Sequence, residues 1–115
     1  MAEQDVLDSI QRYILRVEKE GIPISFVVLF GSHARGNQHK WSDIDLLVVS
    51  PRFDGERCSE DIDSLWYMAA LVDSRIEPIA CGLNQWEHDD GSAIIEIARR
   101  EGQQHFPASR ELVGR

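Results

Sequence analysis

Apolar residues recur at helical spacing in three segments of the chain and crowd together in three others. Val6, Leu7, Ile10, Ile14 and Val17 return at steps of three and four, with Arg12, Arg16, Glu18 and Lys19 on the polar side. That spacing predicts an amphipathic helix over 5–20. Gly21 and Pro23 then stop it. The run Ile24-Ser25-Phe26-Val27-Val28-Leu29-Phe30 is dense in β-branched and aromatic residues and predicts a strand buried on both faces, which Gly31 ends. A short helix follows from Ser32 to about Gly36, with Ser32 able to cap its first turn. Residues 37–41 form a polar loop carrying Trp41, and a second strand runs from Asp43 to Ser50, closed by Pro51.

A loop over 51–55 leads to a second long helix that starts near Ser59-Glu60-Asp61-Ile62, its acidic residues favoured by the helix dipole. Ile62, Leu65, Trp66, Ala69 and Val72 make its inward stripe, and Asp73-Ser74 ends it. Residues 75–81 predict a third strand. Pro78 lacks an N–H for the ladder, which places that strand at an edge or at a bulge. Residues 82–90 read as loop and 92–100 as a last helix with Ile94, Ile97 and Ala98 inward. The stretch 102–115 reads as a frayed tail in which Phe106-Pro107 can dock locally. The order α-β-α-β-α-β-α implies an α/β fold, a small sheet covered by helices.

Composition adds mainly exclusions. A chain of 115 residues supports one core, so 1–115 is taken as a single domain, with about 103–115 a flexible tail. No apolar run reaches the length of a membrane span, and the acidic, polar start is unlike a secretory signal, so the expectation is a cytoplasmic protein. Cys58 and Cys81 lack the spacing of a redox or zinc pair and read as reduced thiols. Twelve basic against twenty acidic residues give a net charge of −8, which opposes a sequence-independent grip on nucleic acid. The same balance is compatible with a site that concentrates divalent cations.

The chemistry lies in Gly31-Ser32-His33-Ala34-Arg35-Gly36 and in Ser42-Asp43-Ile44-Asp45. Side chains alternate along a strand, so Asp43 and Asp45 share a face with Cα atoms about 7 Å apart, while Ile44 points into the core. Two such carboxylates suit hard divalent cations. A solvated strand start with local turn hydrogen bonds is the bland alternative, and it would be favoured for an isolated Asp-x-Asp. Gly31 at the end of a buried strand lets backbone approach a ligand, and the following N–H groups with the Ser32 hydroxyl can hold a phosphate. Arg35 can add a phosphate contact or pair with a surface carboxylate. The joint occurrence of both parts at this spacing is what structure alone does not readily explain.

The run from Gly31 to Val49 resembles the signature of the DNA polymerase β-like nucleotidyltransferase superfamily. The pattern Gly-Ser-x-Ala-Arg-Gly followed by Ser-Asp-x-Asp-Leu-x-Val is similar to that of the minimal nucleotidyltransferases, the MNT group, often encoded beside a helical HEPN protein as antitoxin and toxin. The resemblance implies a small mixed sheet covered by helices, the polymerase β-like palm. It implies that Gly31 and Ser32 bind the triphosphate of an NTP, with ATP the expected one, and that Asp43 and Asp45 bind two Mg²⁺ ions. It further implies a third carboxylate on a neighbouring strand, as metal ligand or general base. Glu77 is the candidate, because it is the only carboxylate inside the third predicted strand; Asp73, Asp89 and Asp90 are weaker alternatives. The family more often has Asp there.

By the same analogy the reaction is attack of an acceptor hydroxyl on the α-phosphorus, the acceptor a tyrosine of a HEPN toxin that is silenced by AMP. A homo-oligomer is compatible with this. Two rivals are a binding module that covers its partner sterically and a small-molecule nucleotidyltransferase of the aminoglycoside type. Around the motif, His33 reads as a partly exposed helix histidine, Trp41 as a loop aromatic or base-stacking group, and Arg75 as an ion-pair partner of Glu77. Trp66 reads as core, and Trp86 carries no assignment.

Overall fold

The computed structural model describes residues 4–35, 42–55 and 57–108, with the side chains of Ser32 and Arg35 outside that description. Helix α1, Gln4–Lys19, buries Val6, Ile10, Ile14 and Val17 as its periodicity requires, and adds Tyr13. The Tyr13 hydroxyl donates to the Leu65 carbonyl at 3.0 Å, which satisfies the one polar atom this side chain takes into the core. Ile22 and Ile24 are buried in the approach, and strand β1 itself spans Phe26–Phe30. A four-residue helix α2, Ser32–Arg35, leads toward strand β2, Ile44–Ser50. Asp43 stands immediately before β2 rather than inside it.

A 3-10 turn, Pro51–Phe53, follows, capped by the Ser50 hydroxyl. Helix α3 is Ser59–Val72 and strand β3 is Ile76–Gly82. Helix α4, Leu83–His88, forms where a loop over 82–90 is expected. Its short apolar content gives no periodic signal; the Asp54 carboxylate makes it by accepting from the N–H groups of Asn84 and Gln85. Helix α5, Ala93–Glu101, starts at a Ser92 cap. Strand β4, Gln103–His105, pairs antiparallel with β1, so the start of the expected tail is ordered structure. Gly102 allows this: a Cβ there would lie 2.4 Å from Ala98 O and from Val28 Cγ1. The Phe106 ring packs at a tilt against Phe26 with centroids 5.5 Å apart, the local docking expected of Phe106-Pro107. Residues 109–115, the rest of that tail, lie outside the described residues.

The sheet is mixed, in the order β3-β2-β1-β4. β1 is antiparallel to both neighbours, and β2 is parallel to β3. β3 is therefore an edge strand, one of the two placements that Pro78 allows. Alternation along β1 and β2 divides the core. Val27, Leu29, Ile44, Leu46 and Val48 pack beneath α1 and α3. Phe26, Val28, Leu47 and Val49 pack with Ile95 and Ala98 of α5. Helices on both faces of a mixed sheet are the α/β arrangement expected from the element order.

Two helix faces differ from expectation. Trp66, expected in the core, is 48% exposed, because α3 turns Leu65, Met68 and Ala69 inward. α3 is apolar around most of its circumference, so periodicity could not choose its buried side. In α5, Ile95 rather than Ile94 is buried. Trp86 meets Phe26 edge-on at 5.5 Å and lies beneath the Arg99 guanidinium.

Candidate active site

β1 ends at Gly31 and β2 begins beside it, because the antiparallel register sets Phe30 opposite Asp45. The parallel register of β2 with β3 sets Asp45 opposite Glu77. Three chain segments thus bring Gly31, Asp43, Asp45 and Glu77 to one end of the sheet. Ile44 is fully buried beneath α1 and α3, so Asp43 and Asp45 turn to the other face. Glu77 shares that face, one position on from the buried Ile76.

Gly31 adopts φ +77°, in the left-handed region that glycine enters without strain. A Cβ at this position would stand 2.3 Å from Asp45 Oδ2. The turn after β1 is therefore seated directly on the Asp45 carboxylate. Conformation and close approach both require glycine here.

Glu77 senses both aspartates. Glu77 has a pKa raised above the ordinary glutamate value by partial burial, by a hydrogen bond with Asp43, and by the negative charges of Asp43 and Asp45. Crowded carboxylate oxygens of this kind are a fit donor set for a hard divalent cation. Among the described residues no group of three or more His, Cys, Asp or Glu side chains is arranged to hold a metal ion by itself. Mg²⁺ does not need one, since it keeps waters and takes substrate phosphates beside one or two carboxylates.

The raised pKa gives a signed expectation. Glu77 holds its proton more tightly folded than unfolded, so the metal-free protein should lose stability as pH rises from the ordinary glutamate value through the raised one. Thermal unfolding across acidic to neutral pH should show that fall. Glu77→Gln should flatten it and raise the neutral-pH midpoint by a few degrees. An unchanged profile would separate Glu77 from the aspartates.

His33 lies in this region differently from its expected place. It is 1% exposed, and its Nε2 lies 3.2 Å from the Ser42 carbonyl, to which it donates. Its Nδ1 is buried without a hydrogen-bond partner. The ring thus fastens α2 to the residue that precedes Asp43. Only its place inside the Gly31–Gly36 motif hinted at such a role. His33→Ala removes that bond and opens a cavity, an expected loss of about 2–3 kcal/mol in urea unfolding.

Of the alternative carboxylates, Asp73 and Asp89 are engaged elsewhere. Asp73 accepts from Arg75 Nη2 at 2.8 Å and from the Ser9 hydroxyl at 2.8 Å. Chiefly through the Arg75 hydrogen bond its pKa falls to about 2. Arg75, expected to pair with Glu77, pairs instead with Asp73 and Asp5. Its backbone serves the site, because the Arg75 carbonyl accepts from Ile44 N–H at 2.8 Å and so starts the β2–β3 ladder. Asp89 accepts from the N–H groups of Gly91 and Ser92 ahead of α5, and Asp90 is exposed. The structure brings together Gly31, Asp43, Asp45 and Glu77. Gly36 and the loop with His39 and Trp41 lie outside the described residues, as do the side chains of Ser32 and Arg35.

The family profile described as nucleotidyltransferase domain matches residues 10–101. No curated protein matches the chain. Among solved structures, a toxin–antitoxin crystal structure with AMP-PNP is similar at TM-score 0.57 and 21% identity, over 88% of this chain and 76% of that one. A candidate nucleotidyltransferase from Sulfolobus solfataricus is similar at TM-score 0.60 and 16% identity, over 94% and 92%. A tri-AMPylated HEPN toxin from Shewanella oneidensis in complex with MNT antitoxin is similar at 0.53 and 17%, over 90% and 75%. At these identities the shared property is the fold.

Proposed function

We propose that this chain, which belongs to the nucleotidyltransferase domain family, transfers AMP from ATP to a hydroxyl of a HEPN-type helical protein and silences that protein as its antitoxin. The observation that carries the reading is the meeting of Gly31, Asp43, Asp45 and Glu77 at one end of the sheet. It unites the two halves of the motif and adds a third carboxylate in register. The complexes with HEPN toxin and the AMP-PNP structure among its structural relatives support the acceptor and the nucleotide.

In this reading Asp43, Asp45 and Glu77 hold Mg²⁺, which would neutralise charge on the triphosphate and activate the attacking oxygen. Gly31, Ser32 and Arg35 would contact the phosphates, as the resemblance of the motif implies. The Gly31 turn fixes Asp45, and His33 fixes the approach to Asp43, so the carboxylates are arranged before substrate arrives. The acceptor hydroxyl attacks the α-phosphorus, its proton passing to Glu77 or to solvent, and pyrophosphate leaves. The whole chain serves as one minimal domain for the donor half of this reaction.

ATP labelled at the α-phosphate should transfer its label to the acceptor protein in the presence of Mg²⁺, whereas the γ-label should appear in pyrophosphate. Transfer of the γ-label to protein would replace nucleotidyl transfer by phosphoryl transfer.

A further inference from the structure

Helix α3 carries a second apolar face that the core does not use. Trp66 is 48% exposed, Tyr67 64% and Leu71 51%, and Ala70 is exposed among them. These positions follow at helical steps of three and four, so they form one stripe along a helix about 21 Å long. Scattered surface apolar residues are ordinary; three large ones on one helical face mark a contact surface. Glu60 and Asp63 are exposed at the start of this face, and α3 contains no Lys, Arg or His.

We infer that this face of α3 docks a different protein through an amphipathic helix whose apolar stripe is flanked by lysine or arginine. Charge decides against a second copy. Each chain carries −8, and pairing two α3 faces would enclose Glu60 and Asp63 with no cation from either helix. A basic flank on the partner would answer those carboxylates and steer its approach. Position also fits. Only Asp73, Ser74 and Arg75 separate α3 from β3, so the helix ends at the end of the sheet where Asp43, Asp45 and Glu77 gather. The carboxylates open on the opposite face, around the β3 edge. A partner held on α3 can therefore send a hydroxyl-bearing segment past that edge. This inference rests on the reading that the acceptor is a protein.

Two synthetic helices test it, both with one leucine stripe, one flanked by lysines and the other by glutamates. Binding to the full chain is read by fluorescence anisotropy without ATP or Mg²⁺, so nucleotidyl transfer does not enter the readout. The lysine-flanked helix should bind at least about tenfold more tightly than the glutamate-flanked one. Tyr67→Ser and Leu71→Ser should each weaken it by about tenfold, while Leu15→Ser, on the exposed side of α1, should leave it unchanged. Unfolding curves establish that the variants are folded. Equal binding of the two helices, or equal loss in the Leu15 variant, overturns the inference. So does a dimer in sedimentation that Leu71→Ser dissolves, since a second copy would then own the face. If the lysine-flanked helix binds as stated and no acceptor is ever nucleotidylated, the docking surface stands and the transferase reading falls.

Discussion

Asp45→Asn should lower Mg²⁺-dependent AMP transfer by about a thousandfold or more, the scale on which loss of one preorganised charge-stabilising group is felt. Asp43→Asn should do the same. Asn keeps the shape of the side chain and removes its charge, so the fold should survive while the donor set for the cation does not. The local electrostatics give this variant a second signature. Glu77 owes part of its raised pKa to both aspartates, and to Asp43 also through a hydrogen bond. Either substitution should therefore shift Glu77 back toward its ordinary value and shrink the pH-dependent loss of stability in the metal-free protein. Full activity in both variants would move the site elsewhere.

Gly31→Ala should be nearly as damaging without touching a charge. The added methyl meets Asp45 Oδ2 at 2.3 Å, and the residue must hold φ +77°. The left-handed conformation costs an L-residue about 1–2 kcal/mol. Relief of the clash requires either the turn or the carboxylate to move. Since misplacement by about 1 Å can cost a hundredfold in rate, the expected result is a loss of about 100-fold or more in transfer, with a modest fall in the unfolding midpoint. Mg²⁺ affinity should fall in parallel. Unaltered Mg²⁺ affinity and turnover in a folded Gly31→Ala protein would show that the turn and Asp45 do not act as a unit.

The parts of this fold legible in the sequence are those whose side chains carry a period. α1 shows one clean apolar stripe, and β1 and β2 are dense runs, so their placement followed from pattern alone. Pro78 narrowed β3 to an edge or a bulge, because a missing N–H is a property of one residue, and the edge is what the sheet order shows. What stayed illegible depends on partners distant in sequence. α4 needs the Asp54 carboxylate, and β4 needs β1 together with a glycine at 102 that lets the backbone close in. The outward turn of Trp66 was hidden because α3 is apolar on both sides, and choosing its buried side takes knowledge of what α1 and the sheet present.

The site divides in the same way. Asp43 and Asp45 share a face by strand alternation, which one segment specifies. The approach of Glu77 is a register, Asp45 opposite Glu77, and register between parallel strands joined by a helix is not written in either strand. The burial of His33 and its bond to the Ser42 carbonyl belong likewise to the packed structure. Arg75 misled because a cation two residues from Glu77 suggests a pair, whereas the neighbouring Asp73 and the distant Asp5 hold it.

If the carboxylate cluster beneath Gly31 moves AMP onto a partner protein, that protein must gain mass. Intact-mass measurement of a HEPN-type partner, incubated with this chain, ATP and Mg²⁺, tests it most directly. Whole AMP units should be added with the wild-type chain and none with Asp45→Asn. A tight complex whose partner gains no mass from the wild-type chain would contradict such transfer.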